Sequence, residues 1–208
     1  MNTLHRKAEL NLDEQGNVTG NLKATYSGSQ YDNCNQLINQ PLKEQLKLLK
    51  TAYDIDNIDF SSCKISQDKG SKPSTTEKLE LSIQKYAPQS NSRFYLVLNA
   101  FNRKRNVPEV SNRTLPLFIN RGYTDEDELV YTLPGNVTAE FIPKNTFIKT
   151  GFGTYETSIK KEGSRLVYNR KFVLNEGTYP ADQYESFANF ITEVSTADQV
   201  KAVFKLIL

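Results

Sequence analysis

The amino-acid sequence predicts a mainly β protein of the α+β class, with an antiparallel β-sandwich-like fold and two or three helices. Three observations support this fold class. Apolar and polar residues alternate in most segments, short groups of turn-forming residues separate those segments, and only two or three segments show helical spacing. The prediction includes a C-terminal helix that is followed by a terminal strand.

The chain opens with a predicted β-hairpin. Residues 8–12 and 18–26 alternate between apolar and polar side chains, and residues 13–16 between them supply turn chemistry. A short helix is predicted next. Pro41 suits a first helical turn, and the leucines of residues 42–49 recur at helical spacing.

The rest of the first half is predicted to be mostly extended. Residues 58–65 have an extended pattern, residues 79–83 alternate, and residues 94–98 form an apolar run that suits a buried strand. Residues 67–76 are rich in Ser, Thr, Lys and Gly, which predicts a loop. These segments therefore predict three strands and one long connection.

Two further hairpins are predicted in the second half. Residues 129–133 and 137–141 alternate on either side of a Pro-Gly-Asn turn. Residues 154–160 and 165–174 flank another group of turn residues and carry many aromatic and β-branched side chains. Both pairs are therefore interpreted as adjacent antiparallel strands.

The strongest helical pattern lies near the C-terminus. It runs over residues 180–194, where Pro180 opens the helix and Tyr184, Phe187 and Ile191 share one face. Residues 201–208 alternate again and predict a final strand. The apolar face of the helix is therefore expected to pack on a sheet and to contribute stability.

The length and composition indicate a globular protein. The chain has 208 residues, which is enough for one large or two small domains, and 38% of them are hydrophobic and 24% are charged. We interpret residues 1–208 as one β-rich unit. Its possible substructure is an N-terminal half with the hairpin and helix over residues 1–105 and a C-terminal β-sandwich half over residues 106–208.

The charge and hydropathy patterns argue against nucleic-acid binding and against a membrane-spanning helix. The chain has 26 basic and 24 acidic residues and a net charge of +2, which gives no field strong enough to attract nucleic acid. No segment approaches the roughly 20 consecutive apolar residues that a membrane-spanning helix needs. Neither nucleic acid nor a membrane-spanning segment is therefore expected.

The sequence contains few residues suited to catalysis. His5 is the only histidine and lies near the terminus, and Cys34 and Cys63 form no Cys-x-x-Cys pair. Whether the two cysteines are bridged is open. The acidic cluster of residues 125–128 is interpreted as a solvated turn before a strand and not as a cation site. No catalytic, cofactor-binding or metal-binding residue is predicted.

Several motifs in the second half resemble a known family. The segment Arg113-Thr-Leu-Pro-Leu117, the acidic segment of residues 121–128 and Tyr131-Thr-Leu-Pro134 are similar to the C-terminal region of a family of Bacteroidetes proteins. The resemblance implies an exported protein with an N-terminal β domain, a central transglutaminase-like domain and a C-terminal domain of unknown function. This chain would be the C-terminal part.

The resemblance and the residues together lead to a functional expectation. The chain is expected to be a non-catalytic accessory or interaction domain whose partner is a transglutaminase-like domain in the same polypeptide, in the periplasm or at the cell surface. The alternative is an independent glycan-binding or protein-binding module. An apolar docking surface would favour the first, whereas a concave patch of exposed Tyr or Phe would favour the second.

Overall fold

The computed structural model describes residues 2–104, 106–108, 110 and 112–207, apart from the side chains of Asn33 and Asn35. The described residues confirm a mainly β fold with three α-helices. The strands are β1 (Thr3–Leu12), β2 (Val18–Ser27), β3 (Ile58–Asp68), β4 (Ser74–Ile83), β5 (Gln89–Ser90), β6 (Arg93–Val97), β7 (Leu117–Ile119), β8 (Tyr123–Thr132), β9 (Val137–Phe141), β10 (Phe147–Thr150), β11 (Gly153–Glu162), β12 (Arg165–Leu174), β13 (Gly177–Tyr179) and β14 (Lys201–Leu206). The helices are α1 (Asn35–Ile38), α2 (Leu42–Tyr53) and α3 (Tyr184–Ala197), and short 3-10 turns cover Gly28–Cys34 and Ala181–Gln183.

A large sheet of eight strands forms the first layer. Its strand order is β10-β11-β12-β8-β1-β2-β4-β3, and all its neighbours are antiparallel except β1 and β8, which run parallel. Residues alternate between a buried and an exposed side along β1, as the predicted hairpin requires. The sheet therefore has an inner face towards the core and an outer face towards solvent.

A smaller sheet and the helices form the second layer. The order of the small sheet is β5-β6-β14-β9. Phe94 of β6 and Phe204 of β14 are fully buried in one apolar cluster with Leu10 and Leu129 from the inner face of the large sheet. This face-to-face packing confirms the predicted sandwich-like arrangement.

The C-terminal helix covers the other end of the inner face. Phe187 and Ile191 of α3 are buried in a second apolar cluster with Tyr155 and Phe172 from the large sheet. The helix begins at Tyr184 after a 3-10 turn, and β14 follows it. The structure thus confirms the predicted helix and the terminal strand.

Two details of the predicted layout are wrong. The hairpin predicted over residues 129–133 and 137–141 does not form, because β8 pairs within the large sheet whereas β9 pairs with β14 in the small sheet. Alternation specifies that a strand has one buried side but not which strand it pairs with. The loop predicted over residues 67–76 is also shorter, since β3 continues to Asp68 and β4 begins at Ser74.

The large sheet joins the two halves of the chain. Strand β1 lies between β8 and β2, and its parallel register with β8 runs from Thr3 opposite Thr124 to Asn11 opposite Thr132. Because these strands share one ladder, we expect a single cooperative unfolding transition in urea, followed by far-ultraviolet circular dichroism and tyrosine fluorescence. Two separated transitions would instead show that residues 1–105 and 106–208 are distinct domains.

Candidate functional site

A row of five buried residues, four of them charged, crosses the inner face of the large sheet. Its members lie opposite one another on five consecutive strands, β12, β8, β1, β2 and β4. In that order they are Arg170, Asp127, Arg6, Ala24 and Glu77, and we call them the charged row. All five are buried. Opposite charges alternate along the first three positions, so that cross-strand neighbours attract one another.

Asp127 stands at the centre of this row. Its Oδ1 accepts a hydrogen bond of 2.9 Å from Arg6, and its Oδ2 accepts one of 3.2 Å from Arg170. Oδ2 also accepts one of 3.1 Å from Asn102. The carboxylate is 4% exposed, and its desolvation is therefore offset by two cations and an amide.

Asp198, just after α3, ties the helix to the row. It accepts two hydrogen bonds from Arg170, at 2.7 and 3.1 Å, which form a bidentate pair. It also accepts hydrogen bonds from Tyr155 and Asn99, at 2.9 and 2.8 Å. Burial alone would lower the pKa of Arg170, but the charges of Asp198 and Asp127 outweigh it and raise that pKa above its ordinary value.

A third ion pair lies at the edge of the network. Lys104 Nζ lies 3.1 Å from Asp125 Oδ2, and it sits 4.9 Å from the centres of the Tyr123 and Phe172 rings. With this pair, three buried or half-buried cations face three buried carboxylates. The three cations thus offset the charges of Asp125, Asp127 and Asp198, while Glu77 is a fourth buried carboxylate at the other end of the row.

The interpretation of residues 125–128 as a solvated turn is wrong. These residues lie inside β8, where Asp125 and Asp127 face inwards and are buried, whereas Glu126 and Glu128 face outwards. Hydrogen bonds from Lys171, together with His5, lower the pKa of Glu126. The signal that could have revealed this is the period-two pattern, which places both aspartates on the same side as Leu129.

A cavity of about 870 Å³ opens beside the charged row. Its walls include Arg6, Tyr53, Glu77, Cys34 and apolar side chains of α1 and α2. Glu77 accepts hydrogen bonds from Tyr53 and Cys34, and burial raises its pKa although these bonds and Arg6 act in the opposite direction. The Nε atom of Arg6 is buried and has no hydrogen-bond partner in the described part of the chain. The cavity is therefore lined by charged and polar side chains on the sheet side and by apolar side chains on the helix side.

The structure separates the residues that a cysteine-based active site would need. Cys34 is buried beside Glu77 on the inner side of the sheet, whereas His5 lies on the outer face with Nδ1 2.9 Å from Glu126. Both thiols are free. Burial, followed by the negative charge of Glu77, raises the pKa of Cys34 to about 12 and of Cys63 to about 11.

These raised thiol pKa values predict slow reaction with alkylating reagents. In a Cys34→Ala variant, the rate at which iodoacetamide modifies Cys63 should rise about tenfold per pH unit between about pH 7 and about pH 10. The reason is that the thiolate fraction grows in that proportion below a pKa of about 11. Mass spectrometry measures the rate. A plateau near neutral pH would contradict the raised pKa and would indicate an activated thiol.

A short apolar turn is the most exposed apolar feature of the described surface. Leu115 and Phe118 are 72% and 67% exposed, more than any other large apolar side chain that the structure describes. Arg113 donates hydrogen bonds to the carbonyl oxygens of Leu115 and Pro116, at 2.9 and 3.2 Å, and its guanidinium lies 4.6 Å from the centre of the Tyr184 ring. We call residues 113–118 the apolar turn.

Neither a metal site nor a membrane span is evident in the described residues. Within them, no group of three or more His, Cys, Asp or Glu side chains is arranged to hold a metal ion. None of their helices combines the length and the apolar character needed to cross a bilayer.

The comparisons with known proteins identify a family. The model of the family described as a domain of unknown function with solved structure (DUF3858) matches residues 92–204. No curated protein and no solved structure matches the chain. The matched residues contain the apolar turn, Asp125, Asp127 and Arg170, together with α3. Since the match covers more than half of the sequence, the chain belongs to this family of domains of unknown function.

Proposed function

We propose that this chain is a non-catalytic accessory domain of a larger exported polypeptide and that it packs on a transglutaminase-like domain of that polypeptide. The resemblance of Arg113-Thr-Leu-Pro-Leu117 and its neighbouring motifs to the C-terminal region of such proteins supports the identity of the partner. The proposal has two parts. The chain has no catalytic activity of its own, and it carries a docking surface for the other domain.

The internal pairing of the polar groups supports the first part. Acyl transfer by a cysteine needs a thiolate and a base within hydrogen-bond reach. Here the thiol of Cys34 is held protonated beside Glu77, and His5 stands on the opposite face of the sheet. The buried carboxylates Asp127 and Asp198 are engaged by Arg170 and its neighbours, and this engagement favours a structural role.

The apolar turn is the observation that carries the proposal. Leu117, within the turn, and Ile119, just after it, are buried and anchor β7, while Leu115 and Phe118 project to solvent. The hydrogen bonds from Arg113 to the carbonyl oxygens of Leu115 and Pro116 restrict the backbone of the turn. A preorganised apolar surface loses little conformational entropy on binding, which is the property expected of a docking site.

Among the described residues, the outer face of the large sheet lacks the group of aromatic side chains on which a glycan could stack. Along the seven described strands from β11 to β3, every Tyr and Phe lies on the inner face, and the outer face carries polar side chains with a few valines. Phe147, on the edge strand β10, is the exception at the border of that face. A stacking platform for sugar rings needs several such side chains.

Calorimetric unfolding of the larger polypeptide tests the proposal. Docking of another domain stabilises this one, so its transition should occur at a higher temperature than in the isolated chain. The double substitution Leu115→Ser and Phe118→Ser should lower that transition to the temperature of the isolated chain. In the isolated chain, the same substitutions should change stability little, because both side chains are exposed.

Phe147→Ser is the matched control, since Phe147 is 66% exposed and lies outside the apolar turn. It should leave the gain in transition temperature intact. Equal transition temperatures in the isolated chain and the larger polypeptide would contradict the proposal, as would equal losses from the two sets of substitutions.

A further inference from the structure

Four lysines form a continuous row on the outer face of the large sheet. Lys7 of β1 is opposite Lys23 of β2, Lys23 is opposite Lys78 of β4, and Lys78 is opposite Lys64 of β3. All four side chains are exposed. Neighbouring strands are about 4.8 Å apart, so the row spans roughly 14 Å with one positive charge per strand. We call this set the lysine row.

The lysine row is unfavourable for folding. Like charges directly opposite one another on neighbouring strands repel and destabilise a sheet. Lys7 is paired with Glu128 at 3.2 Å, but Lys23, Lys78 and Lys64 have no ion-pair partner within 4.0 Å in the described part of the chain. Two of the three contacts in the row, Lys23 with Lys78 and Lys78 with Lys64, therefore join lysines without an ion-pair partner, and stability does not account for this arrangement.

The lysine row also lies in a concave part of the sheet. All four lysines line a single depression of about 550 Å³, together with Asn21, Ser62 and several charged side chains. Five basic and three acidic residues line this depression, so that its charge is positive although the chain as a whole is nearly neutral. Hydroxyl and amide groups beside the lysines supply hydrogen-bonding partners for a polar ligand.

We propose that the lysine row binds an acidic polysaccharide, a chain of sugars with carboxylate groups such as uronic acids. Such a chain carries many carboxylates, and each of its rings also carries hydroxyl groups that can form hydrogen bonds. Each strand presents one ammonium group for the carboxylates, while Asn21 and Ser62 meet the sugar hydroxyls. This site is independent of the apolar turn and of the docking function proposed for it.

Two other polyanions match the lysine row less well. Single-stranded nucleic acid is held by a basic groove that also offers aromatic rings for stacking, and the outer face of β1 to β4 presents no Tyr or Phe among the described residues. An extended peptide usually binds a sheet by adding a strand at its edge, whereas the lysine row crosses the face of four neighbouring strands. A polysaccharide can lie across that face and offers hydroxyl groups to Asn21 and Ser62 as well as carboxylates to the lysines.

Titration calorimetry with defined oligosaccharides tests this inference. An oligogalacturonide of about four to six sugars, long enough to span four strands, should bind, and its affinity should fall as the salt concentration rises. The same oligosaccharide with its carboxylates methyl-esterified should bind at least about tenfold more weakly, since ammonium groups recognise the charge.

The double substitution Lys23→Gln and Lys78→Gln should weaken binding of the oligogalacturonide by at least about tenfold. Its melting temperature should equal or exceed that of the unsubstituted chain, because the substitutions remove repulsion. The matched control is Lys43→Gln with Lys47→Gln on α2, which removes the same charge from exposed positions elsewhere. This control should bind within about twofold of the original chain.

Three results would overturn the inference. Equal binding of the methyl-esterified oligosaccharide would show that the lysines do not recognise carboxylates. If the α2 control lost as much affinity for the oligogalacturonide, the effect would come from the net charge of the chain and not from the lysine row. Tighter binding of polyglutamate or of oligo-dT under the same conditions would assign the row to an acidic protein or to nucleic acid instead.

Discussion

Replacing Asp127 by alanine should lower the free energy of unfolding by about 3–5 kcal/mol, the loss typical of a broken buried ion pair. The substitution leaves Arg6 and Arg170 with no acceptor at the centre of the charged row, although both side chains stay buried. A buried cation without its partner keeps the full cost of desolvation. Urea titration followed by circular dichroism measures the loss.

Glu128→Ala is the matched control, because Glu128 is the next residue of the same strand and faces solvent. Its partner Lys7 lies 3.2 Å away on the outer face, and the Glu128 side chain is 46% exposed. A surface pair of this kind contributes at most about 1 kcal/mol. If the two substitutions had the same effect on stability, the charged row would not be a structural element.

Phe187→Ala should lower the free energy of unfolding by about 3–5 kcal/mol through the loss of buried contacts and the cavity left behind. Phe187 is 8% exposed, and its ring centre lies 5.5 Å from that of Phe152 and 6.3 Å from that of Tyr184. The residue joins α3 to the turn between β10 and β11. Differential scanning calorimetry would show the loss as a lower melting temperature.

Glu185→Ala, on the exposed side of the same helix, should change the melting temperature very little. The contrast between the two positions tests whether the stripe of Tyr184, Phe187 and Ile191 serves stability. A Phe187→Ala variant that melts at the original temperature would mean that the stripe is not packed as the structure places it.

Much of the fold could be predicted from local sequence pattern. Alternation identified β1, β2 and the hairpin of β11 with β12, and helical spacing identified α3, because each pattern reflects which side of an element is buried. The partner of β9 could not be predicted in this way. Strand pairing depends on contacts between segments distant in sequence, such as that between β9 and β14, on which alternation within one segment carries no information.

The candidate sites were harder to predict from the sequence than the fold. The charged row and the lysine row each consist of single residues from several strands, which become neighbours only through the register of the sheet. Arg6 and Lys7 are adjacent in the chain, yet one belongs to the buried network and the other to the outer face. Their roles depend on the strands beside β1 and not on neighbouring sequence.

The most direct test of the proposed docking function compares the surface reactivity of the apolar turn in two contexts. Hydroxyl-radical footprinting of the isolated chain and of the larger polypeptide reports the exposure of Leu115 and Phe118, with Phe147 as an internal reference of nearly equal exposure. We expect the modification of Leu115 and Phe118 to fall several-fold in the larger polypeptide while that of Phe147 stays the same. Unchanged modification of Leu115 and Phe118 would contradict the docking of another domain on this turn.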